Sequence, residues 1–427
     1  MLSQLGHVSV GLADSIMVGQ LGASQLAAVS LANSLFIVFM TFGLGLSYAI
    51  TPMVAIFDGE QNKAESMEVL KHGLVINVGF GIIISGLLLL SSGLIYHLDQ
   101  PEAVVILARP YFNLIAFSLI PLMLFQTFRQ FAEGLSFTRQ AMVISVVTNL
   151  LNILLNYLLI FGKFGFPELG LNGAGWATLI SRIIQFLLIG WYVYNSRNFK
   201  EYWRHFHTRT WSTGLIRKIS ATGVPIGFQF VFEVSAFSLA AIMMGWLGEF
   251  QLAAHQIAIS LAALTYMMAS GLGTAVTIRV GNQLGLKDIV TLREVGFSTI
   301  MMGIIFMTFN ALIFILGRSF FPALYIDNKE VIEIAASLMV VAAFFQISDG
   351  IQVIALNALR GLSDVKTPTL ITMISYWIIG LPTGYLLAFT FGIGFLGIWI
   401  GLLLGLTSAA LLLTQRFNRL TKTMLIA

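Results

Sequence analysis

Residues 81–96 read GIIISGLLLLSSGLIY, a run with no charged side chain and no apolar/polar alternation. A strand of a membrane barrel would alternate with a period of two, so this run is predicted to be helical and buried in lipid. The rest of the chain has the same character. Of its 427 residues, 57% are hydrophobic and 10% are charged, against roughly 25% charged in a soluble domain. So few charges cannot clothe a folded body of this size in water, which excludes a soluble enzyme, a disordered chain and a nucleic-acid binder. The absence of Cys excludes a disulfide scaffold, a Cys-ligated metal and thiol catalysis. The chain is predicted to be an all-α polytopic membrane protein.

A hydrocarbon core of about 30 Å needs about 20 apolar residues per helix. On that scale twelve spans are expected, over 1–19, 26–56, 70–95, 104–131, 139–162, 171–195, 219–246, 252–280, 294–317, 331–359, 366–388 and 393–415. The basic residues then set the orientation. Eighteen of the 23 Lys and Arg fall in or beside the loops after the even-numbered spans. The stretch between spans six and seven alone holds Arg197, Lys200, Arg204, Arg209, Arg217 and Lys218. The opposite side holds four, Arg109, Lys163, Arg318 and Lys329, and Arg182 lies within span six. Both termini are therefore expected in the cytoplasm. The first span starts at Met1 without a basic anchor or a cleavable signal, so the first helix is expected to extend further back.

The chain repeats itself. MVGQLGASQLAAVSLANSL at 17–35 aligns with MMGWLGEFQLAAHQIAISL at 243–261, an offset of 226. GLG at 43–45 recurs at 271–273, GLS at 134–136 recurs at 361–363, and Tyr157-Leu-Leu recurs at Tyr385-Leu-Leu, with offsets of 227 or 228. Small-residue motifs recur in any helix bundle, but not at one spacing along most of a chain. Two pseudo-symmetric six-helix bundles are expected: an N-terminal lobe over 1–195, a basic cytoplasmic linker over 196–218 and a C-terminal lobe over 219–427. An even number of spans per repeat gives both lobes the same orientation, an arrangement suited to alternating access.

Three of the 19 acids lie inside spans: Asp14, Glu233 and Asp349. A carboxylate at mid-membrane costs about 2.5–3.5 kcal/mol on insertion scales, so these mark a water-filled cavity, a partner or a protonated group. Gln346, Asp349 and Gln352 share a helix face by their spacing of three. Gln229 lies one turn before Glu233, with Pro225 interrupting the helix ladder nearby. Such acids serve either as structural hydrogen-bonded groups between helices or as hard oxygen ligands for a small cation or proton. Span five carries an amide stripe, Asn149, Asn152 and Asn156, the expected company of Asp14. Such a stripe is either interhelical glue or part of a cation site. Arg182 is a counter-ion to an acid or snorkels to the interface. His255 is expected to pack or cap. Gly380-Leu381-Pro382-Thr383-Gly384 predicts a kink in span eleven and a hinge at Gly380, Pro382 and Gly384. A few of the 34 Phe and 17 Met, lining a cavity, would offer a soft surface to apolar cations. The chain contains no G-x-x-x-x-G-K-[ST], TVGYG-like or H-E-x-x-H motif, which argues against a P-loop ATPase, a potassium-type filter and a zinc protease.

Five stretches carry a resemblance over essentially the whole chain. They are GLADSIMVGQLGASQLAAVS in span one, LLNILLNYLLIFGKFGFPELGLNGAGWAT through spans five and six, FVFEVSAF in span seven, and QISDGIQVIALNALRG with SYWIIGLPTGY in spans ten and eleven. Together these resemble the multidrug and toxic compound extrusion (MATE) family, in its NorM-type bacterial branch. The resemblance implies two six-helix bundles around a central cavity that switch between inward-facing and outward-facing states, exporting organic cations in exchange for Na+ or H+. It implies an N-lobe cation site at Asp14, Asn152, Asn156 and Thr178 with Ala174 beside it, and C-lobe cation-binding acids at Glu233 and Asp349. One departure stands four residues before Asp349, where the NorM-type pattern often has Tyr and this chain has Phe345.

The expectation is therefore a secondary multidrug antiporter of the bacterial cytoplasmic (inner) membrane, not an enzyme. It needs no cofactor beyond the coupling ion, Na+ or alternatively H+. Its partners are the lipid bilayer and cationic amphiphilic small molecules, with no nucleic acid, and it works as a monomer. The alternative is a lipid-linked saccharide flippase of the same superfamily, which needs a basic cavity for pyrophosphate. A set of three acids and one Arg inside the spans speaks against that, and nothing in the sequence favours a channel or a membrane-embedded enzyme.

Overall fold

A computed structural model describes Gly11 and residues 13–97, 100–206 and 211–426. Among these residues there is no strand, and eleven helices are long and apolar enough to cross a membrane. In chain order they are α1 (Ala23–Gly59), α2 (Lys63–Ser91), α3 (Glu102–Gly134), α4 (Thr138–Phe161), α5 (Leu171–Asn195), α6 (Thr213–Leu247), α7 (Glu249–Gly285), α8 (Ile289–Leu316), α9 (Lys329–Gly361), α10 (Lys366–Thr390) and α11 (Phe395–Ile426). They correspond one to one with the second to twelfth expected spans. The first expected span, 1–19, falls mostly on residues 1–10 and 12, outside the described residues, and its remainder, 13–19, is helical. Short helical turns cover Arg197–Phe199 and Lys200–Trp203. Helix α6 begins at Thr213, so the last residues of the basic stretch 196–218 already belong to it.

The chain divides into two compact units, with the division between Gly227 and Phe228 inside α6. Each unit has its own interior. In the N-terminal unit, α4 packs on α5, and α3 contacts α1, α2 and α5. Phe125, Phe131, Met67 and Ile50 are fully buried there. In the C-terminal unit α9 is the hub, packed against α7, α8 and α11. Buried Trp399, Tyr376 and Phe345 form part of its core.

The repeat seen in the sequence reappears as backbone geometry. Asn62 caps α2 by accepting from the Glu65 N–H at 3.1 Å, and Asp288, 226 residues later, caps α8 by accepting from the Thr291 N–H at 3.0 Å. Just ahead of these caps Gln61 and Lys287 both have positive φ, 56° and 61°. Ser136 and Ser363 repeat the feature at 69° and 58°. Positive φ is uncommon outside glycine, so four of the five such residues among those described falling into two pairs at the repeat spacing marks the turns as repeated copies. Gly22 and Gly248 complete the pattern at φ 132° and 141°, each preceding the helix that follows it.

Helix α10 is irregular where Gly380-Leu381-Pro382-Thr383-Gly384 predicts a kink. Residues Ile374–Gly380 and Leu386–Thr390 wind as π-helix on either side of a short α-turn, Leu381–Tyr385. Pro382 sits at the start of that α-turn, where a missing N–H costs least. The widened turns thus absorb the proline and α10 continues. Helix α6 likewise runs through Pro225 without ending. On its far side α10 meets α11 backbone to backbone. A Cβ on Gly401 would collide with the Gly384 backbone and lie 2.6 Å from the Gly380 carbonyl oxygen. Gly397, Gly401 and Gly405, four apart, give α11 the small-residue face that allows membrane helices to approach this closely.

Candidate functional sites

The N-terminal unit gathers Asp14, Asn156 and Asn152. Asn156 sits on the buried face of α4, one turn from Asn152. Its Nδ2 donates to Asp14 Oδ1 and lies 3.2 Å from Asn152 Oδ1. The spacing of four that suggested a stripe is what stacks the two amides. Arg182 on α5 belongs to the same neighbourhood. Its Nη1 donates to Ser118 Oγ at 2.6 Å, its guanidinium lies 5.5 Å from the Phe36 ring centre, and it interacts electrostatically with Asp14 and Tyr111. Tyr111 is hydrogen-bonded to Asn33 and also senses the Asp14 charge.

Three other expected members are Asn149, Ala174 and Thr178. Asn149 is on the same helix, its Nδ2 buried and without a hydrogen-bond partner among the described residues. Ala174 is buried on α5 and Thr178 is half-buried one turn later. Among the described residues no hydrogen bond joins Thr178 or Asn149 to Asp14.

The C-terminal unit gathers Glu233 on α6 and Asp349 on α9, each within the other's electrostatic reach. Tyr376 on α10 senses both acids and Tyr266 on α7. Arg360, eleven residues after Asp349 and so on nearly the same face of α9, acts on Glu233. It donates from Nη2 to Gln229 Oε1 at 3.1 Å and from Nη1 to Asn357 Oδ1 at 3.3 Å, with Phe230 5.2 Å away. Gln229, one turn before Glu233, thus fastens the guanidinium beside that acid. Gln346 and Gln352 flank Asp349 on the buried face of α9, and the amide atoms of both have no hydrogen-bond partner among the described residues. Phe345 is buried between Phe237, at 6.1 Å, and Trp399, at 5.5 Å, and brings no oxygen to the acids. His255 is a packing residue that accepts from Trp399 Nε1 at 3.1 Å.

Two residues here escaped the sequence reading, Arg360 and Tyr376. The expected end of the tenth span at 359 puts Arg360 among the loop charges, whereas α9 runs on to Gly361. The i+11 spacing of Arg360 from Asp349 is the signal that places it on the acid's face. Tyr376 carries no such signal in ISYWIIG.

Glu233, half-buried, and Asp349, buried, offer hard carboxylate oxygens of the kind suited to a small cation or a proton. Among the described residues no three His, Cys, Asp or Glu cluster as a tightly held metal would require.

The MatE family model matches residues 1–158 and 225–386, two segments whose starts differ by about the repeat spacing. The chain belongs to the MatE family. It is 35% identical over 431 residues to a probable multidrug resistance protein NorM of Rhizobium meliloti (strain 1021), covering 98% of this chain and 91% of that one. It is 36% identical to the multidrug resistance protein NorM of Vibrio parahaemolyticus, covering 98% and 92%, and 35% identical to the multidrug resistance protein MdtK of Edwardsiella ictaluri, covering 99% and 93%. Among solved structures, MATE in complex with MaD3S superposes with a TM-score of 0.91 at 19% identity, over 100% of this chain and 95% of that one. The eukaryotic MATE transporter AtDTX14 superposes with a TM-score of 0.85 at 21% identity, over 99% and 96%. These structural likenesses establish the fold.

Proposed function

We propose that this protein is a secondary active multidrug efflux antiporter, exporting cationic amphiphilic compounds across the bacterial cytoplasmic membrane in exchange for Na+, with H+ as the alternative coupling ion. What supports this reading is that Glu233 and Asp349 lie on membrane-spanning helices of one unit, near enough to interact electrostatically. Two like charges in a medium of low polarity repel each other strongly, and a monovalent cation between them removes both the repulsion and part of the desolvation cost. A site of this kind has different cation affinities in differently hydrated states, and that difference is what allows an ion gradient to drive a conformational equilibrium.

Asp14 with Asn152 and Asn156 is the second ion-responsive group, and α10 at Gly380, Pro382 and Gly384 is the hinge. Both termini face the cytoplasm and the protein acts as a monomer of two lobes, 1–195 and 219–427. The names of the NorM and MdtK relatives support the substrate class. A saccharide-lipid flippase would need free basic charge. Here Arg129 pairs with Glu133 at 2.7 Å, and Arg182 and Arg360 face Asp14 and Glu233. Ethidium efflux from proteoliposomes, with Na+ and H+ gradients imposed separately, tests the proposal. Efflux driven by either gradient and lost in Glu233→Gln and Asp349→Asn supports it. Normal gradient-driven efflux in both variants refutes it.

A further inference from the structure

The pair Glu233 and Asp349 supplies carboxylate oxygens only, and Phe345 beside them supplies none. A hard cation leaving water needs more oxygen neighbours than two carboxylates give, so a neutral ligand must come from elsewhere. Tyr376 is 1% exposed, and its hydroxyl has no hydrogen-bond partner among the described residues. A buried hydroxyl left unpaired is unfavourable unless something is there for it to meet. It lies within electrostatic reach of both acids. Its ring is held edge-on by Phe237 at 5.9 Å, the same ring that contacts Phe345.

The backbone under Tyr376 is unusual in the same place. Its carbonyl accepts from the Leu381 N–H, five residues on, in the π-helical turn Ile374–Gly380. Such turns occur in α-helices mostly as single widened turns, frequently at functional sites. The next residue, Trp377, donates from Nε1 to the carbonyl of Phe232 at 3.1 Å. The turn is thereby fastened to α6 at the residue preceding Glu233.

We infer that the Tyr376 hydroxyl oxygen is a neutral ligand of a monovalent cation held between Glu233 and Asp349, and that the π-turn carrying it makes ion occupancy and the winding of α10 interdependent. Rewinding the turn to α-helix would rotate Tyr376 against the rest of α10 and withdraw its oxygen. The inference rests on the cation-coupled reading above.

The test is Na+-driven ethidium efflux by the full chain in proteoliposomes, read as the half-saturating Na+ concentration and the maximal rate. Thermal stabilisation by Na+ over choline in detergent serves as an independent readout. Tyr376→Phe keeps the ring and its Phe237 contact. Losing one oxygen bonded to a charged partner is expected to raise the half-saturating Na+ concentration roughly tenfold while most of the maximal rate remains. Ser375→Ala, at a neighbouring buried hydroxyl, leaves both values near wild type, and Asp349→Asn abolishes the Na+ response. If Asp349→Asn is silent but Tyr376→Phe matches wild type in both readouts, the role of Tyr376 is overturned while the cation site stands. If the wild-type protein shows no response to Na+, the Na+ site and this inference fall together.

Discussion

The Thr277 hydroxyl on α7 donates to Asn357 on α9, with the carbonyl oxygen at 2.8 Å and Oδ1 at 3.3 Å. In the other unit, 226 and 227 residues earlier, the Thr51 hydroxyl makes the same bond to Gln130, at 3.1 Å to the carbonyl oxygen and 2.5 Å to Oε1. A glycine sits four residues after each acceptor. A Cβ on Gly134 would lie 3.0 Å from the Thr51 carbonyl oxygen, and one on Gly361 would lie 2.8 Å from that of Thr277. Each repeat therefore clamps the same two helices with one buried hydroxyl and one close backbone approach. Thr51→Val and Thr277→Val should each lower stability by about 0.5–1 kcal/mol, the worth of an interhelical hydrogen bond in a membrane bundle. Thermal unfolding in detergent reads this, and Ser at either position should recover most of the loss.

The contact of α10 with α11 depends on having no side chain at Gly401. Adding a methyl group there would push it into the Gly384 backbone, which cannot move without separating the helices. Gly401→Ala is expected to cost about 1–3 kcal/mol or more, as overpacking does. Gly86→Ala on α2, where a Cβ meets nothing within 4 Å, should be neutral or slightly stabilising. Melting of the two variants side by side separates the close approach from helix propensity.

The two equivalent helix caps should respond differently to acid. The Thr291 hydroxyl and N–H both donate to Asp288, holding its carboxyl below the ordinary 3.8. A depressed carboxylate contributes stability that is present above its unfolded value and is lost as pH falls through the folded one. Unfolding followed between pH 5 and 3 should show this loss in the wild type and not in Asp288→Asn. Asn62, its counterpart, has no proton to gain. Asn62→Ala should cost about 1 kcal/mol at every pH.

In the N-terminal unit, Asp14→Asn removes the charge with which the half-buried Arg182 interacts, whereas Asn156→Ala removes one donor and leaves both charges in place. Asp14→Asn should therefore reduce efflux to background. Asn156→Ala should weaken ion dependence by roughly tenfold, the worth of a hydrogen bond to a charged group. Efflux normalised to protein in the membrane distinguishes them.

Much of this molecule is legible from residue types at the right spacing. The non-alternating run at 81–96 and the recurrence of QLAA, GLG and GLS lead to twelve expected spans, of which the second to twelfth are long helices among the described residues, and to a duplicated backbone. Asp14 and Asn156 meet because an amide stripe on one helix face has a carboxylate within its reach. Arg360 was hidden by helix length: α9 extends past the expected 359, which converts an apparent loop charge into a buried one acting on Glu233. Tyr376 was hidden by backbone irregularity. A proline flanked by glycines announces that α10 deviates, but not that the deviation is two π-turns, one of which carries a buried hydroxyl beside two acids. Side-chain patterns report faces of regular helices, so groups placed by irregular turns stay invisible to them.

On the proposed function, carboxylates inside the spans couple an ion gradient to drug export. The most direct test is ethidium efflux from proteoliposomes holding wild type, Glu233→Gln or Asp349→Asn, with Na+ and H+ gradients imposed in turn. The account predicts gradient-driven efflux by the wild type and none by either variant, with all three proteins equally folded by thermal unfolding. Efflux by both variants at the wild-type rate under the same gradient would contradict it.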